Sequence, residues 1–563
     1  MEAELEKEIN MRITNKIMQQ NNLSNINTNK VYEDKLSTQM STEKKINRPS
    51  DDPVVAIRAL RLRSSVTEVT QYYSKNIPDA ESWINVTQDA LNNLTEVITK
   101  MISQCTKGAN GPLKTEDREI ILEQLKSLAD EVYATGDADY AGRYVFTGHR
   151  TDTSLSFDKE INQFFEITEQ LNPKAIDDVT KVFTDKLLNI NSSNYMDDDM
   201  NVTEQAIDAV SCHRIRLAYK DCVGDGATPS ISFKQVKMTE KLDDNGDPVV
   251  DDEGNPVYVP EIGPDGKLVY ETVTWSSGDS AGDIQTVHSY EDPYSIVAND
   301  PDAIVYVPET GEILLGENKY NQLMSIKDDD STTANESEIR VTYQKEHWEK
   351  GDLRPQHYFA CTSDPKDPEK KIDYNMNYLT EDVPSRQEIE YDVGFNQTIR
   401  VNSTADECFK HGIGREADDL VTAMQNVLDL ENIQKKLSKL MTEAEGDEEA
   451  TARLQDQLDA VEKALTLAKD KEQKMFESAI TTFQGYLDDA NLCITDCGNR
   501  GSKLALVENR MQTQKTTFET LKSNNEDIDI AEVTIQMKSA TLVYEAALLA
   551  AGKVMQSTLL NYI

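Results

Sequence analysis

The stretch from Ser502 to Ala551 contains neither proline nor glycine, and its side chains keep a helical rhythm throughout. Leu504, Val507, Met511, Gln514, Phe518, Leu521, Asn525 and Ile528 follow one another by threes and fours. Beyond them Ile528, Ile535, Leu542, Leu549, Gln556 and Ile563 recur every seven residues. A seven-residue repeat lays its members along one stripe and winds a helix left-handedly around a partner. About 60 residues of helix would reach about 90 Å at 1.5 Å per residue, too long for a compact globule. Such a helix requires a companion of similar length, and the N-terminal segment is the natural candidate.

The same rhythm appears elsewhere. Trp83, Ile84, Thr87, Leu91, Leu94, Ile98, Met101 and Cys105 form a seam, and a second helix is expected over Ile120–Tyr133. Ala417, Leu420, Met424, Val427 and Leu430 begin another helix, which an acidic turn at 443–450 interrupts before Leu454, Leu458, Val461 and Leu465. The centre changes character. Asn245-Gly246, Glu253-Gly254-Asn255 and Asp265-Gly266 punctuate short β-rich runs, as hairpin turns do. Ile304–Val307, Thr310-Gly311 and Ile313–Leu315 give another hairpin, and two strands joined at Gly394 are expected within 388–402. The predicted fold is mainly α: a long antiparallel or coiled-coil helical rod made from both chain ends, with an inserted β-rich central domain.

Composition narrows the function. Of 563 residues, 38% are hydrophobic, below the usual globular share of about 45–50%. That suits thin bundles, which bury little per residue. The formal charge of −43 would repel a phosphate backbone, so no nucleic-acid partner is expected. The acid is concentrated in the centre: residues 251–350 hold 22 Asp/Glu against six Lys/Arg, whereas 11–60 hold five against eight. The seven cysteines are odd in number and irregular in spacing, so no disulfide framework follows. The start lacks the apolar core of a cleavable leader, and the apolar tail carries Glu545, Lys553, Gln556 and Asn561, a poor membrane span.

Residues 44–60, KKINRPSDDPVVAIRAL, connect two helices. Lys44 and Lys45 suit the negative end of the preceding helix. Asn47, Arg48, Pro49 and Ser50 make a turn, with Arg48 in reach of Asp51 or Asp52. Asp52 can cap the next helix, and Pro53 fits its first position. On spacing alone this is an ordinary helix–turn–helix connector.

The string MRITNKIMQQNNLSNIN (11–27) followed by this connector resembles the N-terminal signature of the bacterial flagellin-like family. GRYVFTGHRTDTSLSF (142–157), IRVNSTADECF (399–409) and the tail 527–563 resemble the same family in the same order. Pro49 and Pro53 flanking the acidic pair, Tyr544, and the terminal TLLNYI favour its hook–filament junction branch over filament subunits. The resemblance implies a structural part of the flagellum, an extracellular location reached by type III export, and no enzymatic activity or cofactor. It implies a homo-oligomeric ring with a neighbouring hook-associated protein and flagellin as partners, an export chaperone at the C-terminal helix, and no membrane. Arg12, Ile13, Ile17, Ile26, Ile528, Ile535, Leu542, Leu549 and Leu559 are then the expected assembly face. Residues 11–45 and 525–563 would be inner helices that form a coiled coil on assembly. Residues 46–155 and 410–524 would be the helical rod, and 156–409 an acidic outer domain. The likeness begins at Met11, so 1–10 is expected to be a non-native or disordered prefix. A filament subunit, or a secreted protein with flagellin-like ends and a functional centre, stays open.

Catalytic and metal strings are weak. His347 lies in HWEKG, not in a two-histidine zinc motif. Cys212, His213 and Cys222 lack a fourth ligand and finger spacing. Residues 243–254 place Gly246 too early and Gly254 where a calcium loop needs Glu. Cys493 and Cys497, one helical turn apart, share a face and are expected to be buried in the bundle.

Overall fold

The structure is a computed structural model. It describes residues 15–556 except 112, 183, 225, 227, 242–248, 250–256, 265, 267, 279–281, 325–338, 366, 368 and 381–386. Long helices occupy both ends: α1 (Asn15–Thr42), α2 (Pro53–Gln71), α3 (Ile77–Ala109) and α4 (Thr115–Gly136) lead, and α5 (Gly412–Glu443), α6 (Glu448–Glu526) and α7 (Ile530–Gln556) follow. The strands lie between Asp139 and Arg400. By contacts the chain divides into two units, one of residues 1–80, 391–399 and 502–563, the other of 81–390 and 400–501.

In the first unit, Asp52 caps α2, its carboxylate accepting from the N–H groups of Val54 and Val55, with Pro53 following at the first turn. Between α2 and α3 the backbone widens into a π turn at Tyr72–Asn76. Pro78 lies just beyond and has no N–H to return to the preceding turn, which a widened helix tolerates. Tyr391–Ile399 forms a small antiparallel hairpin, whose turn comes at Phe395-Asn396, with Asn396 at φ 51°, rather than at Gly394. Asparagine accepts that left-handed conformation at low cost, and Gly394 stays in the strand.

The C-terminal helix is not continuous: α6 ends at Glu526 and α7 starts at Ile530. Asp529 causes the break. Its carboxylate accepts from the N–H groups of Ala531 and Glu532, at 2.9 and 3.2 Å, capping a new helix where periodicity alone predicted an unbroken one.

In the second unit the expected seams are core. Trp83, Leu91, Leu94, Ile98, Met101 and Cys105 of α3 are fully buried, as are Met424, Val427 and Leu430 of α5. Arg118 of α4 is buried between Glu472 of α6 (2.9 Å) and Glu431 of α5 (3.2 Å), tying three helices together. Strands β1 (Asp139–Tyr140) and β2 (Arg143–Tyr144) pair first. A six-stranded sheet is built around β3 (Ile161–Leu171), and a five-stranded sheet contains β4 (Ile176–Val182) and β5 (Ala209–Arg216). Strands β6 (Ser230–Val236), β7 (Met238–Glu240), β8 (Tyr258–Pro260), β9 (Tyr270–Trp275) and β10 (Ile284–Thr286) come next. Strands β7 and β8 pair antiparallel, flanking turns that lie outside the described residues. The expected hairpin is β11 (Ile304–Val307) with β12 (Glu312–Leu315). Gly311 at its turn has φ +64°, and a Cβ there would sit 1.9 Å from the Tyr219 carbonyl oxygen. The six-stranded sheet is completed by β13 (Ile339–Trp348), β14 (Ala360–Ser363) and β15 (Ile372–Tyr374), with β13 antiparallel to β3.

The segment 156–409 does not keep a core wholly its own. Val182, Leu187, Ile190, Val202 and Ile207 share one apolar cluster with Val427, Leu430, Leu454 and Val461 of the α5–α6 pair. Arg214 of β5 adds ion pairs to Asp177, Glu312 and Asp419, the last on α5.

Glu169 of β3 is fully buried, its Oε1 accepting from the Ala218 N–H at 2.8 Å and from the Tyr343 hydroxyl, while Oε2 is without a partner. Burial pushes its carboxyl up to about 7. The folded state therefore holds a proton that the unfolded chain releases nearer its ordinary value of 4.5. Stability from this group is fully present below that value and is lost as pH rises through about 7, by about 3 kcal/mol. Urea unfolding of Glu169→Gln between pH 5 and 8 should lack that loss; an identical pH slope in both chains would show that Glu169 does not carry it.

Candidate assembly interface

Within the first unit the α1–α2 connector meets the α6–α7 connector. Glu526, on the last turn of α6, is buried. Arg63 of α2 grips it with two hydrogen bonds, Nε to Oε1 at 2.6 Å and Nη2 to Oε2 at 2.8 Å. Lys44 stands 3.9 Å away and pairs with Asp527, and Lys45 Nζ donates to the Asn524 carbonyl at 2.6 Å. The backbone joins in: Lys45 N–H donates to the Glu526 carbonyl (2.7 Å) and Ile528 N–H to the Glu43 carbonyl (3.2 Å). The hydrogen bond to Glu526 raises the Arg63 guanidinium, and that from Lys44 lowers the Asp527 carboxyl. Lys44 and Lys45 thus serve the end of α6, not of the helix that precedes them, because Glu43 at φ 58° turns the chain away from α1.

The connector is held locally. The Asp51 carboxylate accepts from the N–H groups of Arg48 (2.9 Å) and Asn47 (3.1 Å), which lower it in that order. The Arg48 contact is made by its backbone rather than its guanidinium. Pro49 lies in the exposed turn, and Pro53 starts α2.

Helices α1 and α7 pack together through Leu36, Val533 and Ala540, with Ile528 and Met537 beside them. The Thr541 hydroxyl donates to Glu33 at 2.9 Å. Further along, Asn22, Asn25, Thr28 and Asn29 face Ala547 and Ala550 across a polar groove. Beyond Ile528 the described members of the seven-residue stripe take no part in this seam. Ile535, Leu542 and Leu549 are 69, 66 and 71% exposed. Val533 and Ile535 differ by two residues, about 200° around a helix of 3.6 residues per turn, so their stripes lie on opposite faces. On α1, Ile26 is buried and Ile17 exposed. The expected face is therefore split: Ile26 is buried and Ile528 lies beside the intrachain seam, whereas Ile17, Ile535, Leu542 and Leu549 are exposed. Arg12, Ile13 and Leu559 lie outside the described residues, as do 1–10. Periodicity missed Arg63 and Glu526; a buried acid opposite a basic helix was the available signal.

The alternative chemical groups are dispersed. Cys212 and His213 are neighbours on a strand and face opposite ways, Cys212 into an apolar cluster and His213 between Asp178 and Glu317. His347 meets Asn162 and Glu160. Among the described residues no helix is long and apolar enough to cross a membrane.

Residues 13–151 match the bacterial flagellin N-terminal helical region. The chain is 29% identical over 145 residues to flagellar hook-associated protein 3 of Salmonella typhimurium, which is 26% of this chain and 45% of that relative. It is 28% identical over 122 residues to a flagellin of Clostridium tyrobutyricum, covering 22% of this chain and 32% of that one. The matches thus span less than half of these relatives' length. A solved flagellar hook-associated protein from Vibrio parahaemolyticus aligns over 85% of this chain and 100% of its own, at 12% identity and a TM-score of 0.31, too low to carry a conclusion about this chain.

Removing the clamp should loosen the ends. Arg63 is half exposed, so Glu526→Ala should cost only about 1–2 kcal/mol. Hydrogen exchange in α1 and α7 should accelerate, with exchange in the second unit unchanged; unaltered protection of both helices would show that Glu526 does not hold them.

Proposed function

We propose that this chain, flagellin-like in its N-terminal helical region, is a structural subunit of the bacterial flagellum that joins hook to filament. The observation that carries this is the outward stripe Ile535, Leu542 and Leu549, an apolar row on a helix whose opposite face is already paired. The similarity to hook-associated protein 3 gives that row a role. In the proposed assembly α1 and α7 of neighbouring subunits form an inner coiled coil, closing a ring that contacts a hook-associated protein on one side and flagellin on the other. Export by the flagellar type III route would deliver the chain outside the cell, with a chaperone covering the C-terminal helix beforehand. The helical segments 46–155 and 410–524 would act as a rod, and the acidic segment 156–409 would face solvent. This is a function of binding surfaces, without an enzymatic step.

The similarity to a flagellin favours a second reading, a filament subunit. A deletion strain separates the two. Loss of a junction subunit leaves hooks without filaments while flagellin is still made and released; loss of a filament subunit removes the bulk flagellar protein itself. Electron microscopy showing normal filaments on the deletion strain would overturn both.

The stripe gives a sharper test. Burying one Leu fully is worth about 1.5–3 kcal/mol, and a ring repeats that in every copy. Leu542→Asp should leave the chain's melting within about 1 °C of the parent, since a surface substitution outside the α1–α7 seam changes stability little. The same variant should stop filament growth and swimming. Normal swimming would remove the stripe from the assembly face, and a fall of many degrees would place Leu542 in the chain's own core.

A further inference from the structure

Cys408 and Cys493 are far apart in sequence and meet in the second unit. The segment carrying Cys408 runs antiparallel to α6, and three contacts set its register. Arg500 donates to the Asn402 carbonyl at 2.6 Å and reaches Ser403. Lys410 lies 4.0 Å from Asp489, and Gly412 lies against the Tyr486 hydroxyl, where a Cβ would approach to 2.3 Å. Between Arg500 opposite 402–403 and Asp489 opposite 410, the cysteine of α6 nearest the level of Cys408 is Cys493. The two thiols are close enough for each to shift the acidity of the other, Cys408 upward and Cys493 downward. Cys497, one turn further, is buried and turned instead to the Ile84 carbonyl, its Sγ donating at 3.5 Å.

Both partners are held in place. Cys408 ends a one-turn helix, Ala405–Cys408, closed at its start by a capping box between Thr404 and Glu407, and Arg400 anchors Glu407 at 2.8 Å. Phe409, next in sequence, packs edge-on against Phe146 at 4.7 Å. Cys493 sits within the long helix α6 and is only partly buried, whereas Cys408 is buried.

We propose that Cys408 and Cys493 are a redox-responsive pair, which closes into an intrachain disulfide when the folded protein meets a small-molecule disulfide. The two thiols have unequal roles. The neighbouring Cys408 thiol holds the Cys493 thiol below its ordinary value, with Lys410 adding to the effect, while Cys493 and burial push Cys408 up. Cys493, more acidic and more accessible, is the attacking sulfur. Its thiolate displaces one thiol from the oxidant, forming a mixed disulfide, and the proton it lost goes to the departing thiolate. Cys408 then attacks the Cys493 sulfur, passes its own proton to the second departing thiolate, and leaves a Cys408–Cys493 bond. One disulfide oxidant is reduced to two thiols, and two protein thiols are oxidised to one disulfide. The proposal depends on no flagellar role.

The test uses the folded full-length chain, oxidised glutathione as the probe, alkylation of remaining thiols, and peptide mapping without reduction. The expected result is one new cross-linked peptide joining Cys408 to Cys493 and a melting temperature raised by roughly 5–10 °C, as a bond closing a long loop predicts. Cys493→Ser, at the partly buried position, should abolish both changes, and Cys497→Ser should preserve both. A Cys493–Cys497 link, a dimer joined through Cys493, or a glutathione adduct on Cys493 with Cys408 still reduced would each overturn the proposal.

Discussion

A buried carboxylate at the wrong end of a helix organises the first unit. Glu526 and its neighbour Asp527 stand at the C-terminus of α6, where exposed carbonyls already concentrate negative charge. Acids there are unfavourable unless cations come to them, and burying Glu526 sharpens the demand because water no longer screens it. Arg63, Lys44 and Lys45 meet it, all from the N-terminal part of the chain. The demand for charge thus becomes a topological link. It joins the α1–α2 connector to the α6–α7 connector and fixes the register in which α1 and α7 can pair. Once that register is set, Leu36 meets Val533 and Ala540, and Thr541 meets Glu33.

The second unit uses the same device more deeply. A chain with 101 acidic and 58 basic residues has acid to spare, and the buried guanidiniums Arg118 and Arg214 each meet two or three carboxylates. Arg214 contacts Asp177, Glu312 and Asp419, and Arg216 contacts Glu416 and Asp419. Such clusters add little net stability over a well-packed apolar equivalent, since desolvation offsets the attraction. Their planar, directional geometry does discriminate between registers. The sheet containing β5 therefore has one way to sit on α5. Arg118, between Glu431 and Glu472, does the same for α4, α5 and α6.

Periodicity made the helical seams legible because each step of three or four reports a side chain's direction: the α3 positions chosen that way are all buried. The β11–β12 hairpin was legible too, from the glycine its turn needs. What escaped were decisions taken by single polar atoms against the local trend. Asp529 ends a helix that every neighbouring apolar residue would continue. Lys44 and Lys45 appear to a sequence reader as caps of α1, but their partners lie hundreds of positions away. The contact of Cys408 with Cys493 was invisible for the same reason, whereas Cys493 and Cys497 drew notice by spacing alone. For the candidate interface, periodicity gave the stripe but not which side of it the chain would cover for itself.

That last distinction decides what α7 can do. Among the described residues its intrachain seam buries Leu36, Val533 and Ala540, with Ile528 and Met537 partly covered beside them, and the two larger buried side chains are worth about 3–6 kcal/mol at most. Fixing the backbone of one residue costs about 1–2 kcal/mol, partly offset by helical hydrogen bonds, so a seam this thin holds the α1–α7 pair only marginally. The polar groove between Asn22, Asn25, Asn29 and Ala547 adds little apolar area further along. The opposite face carries Ile535, Leu542 and Leu549, three large apolar side chains left in water. In the assembly proposed above, a helix with a second apolar row outward would gain further stability from a partner other than α1. Its order would then depend on the concentration of neighbours, which is the behaviour a subunit needs if its ends are to set firmly only at the growing end of an assembly.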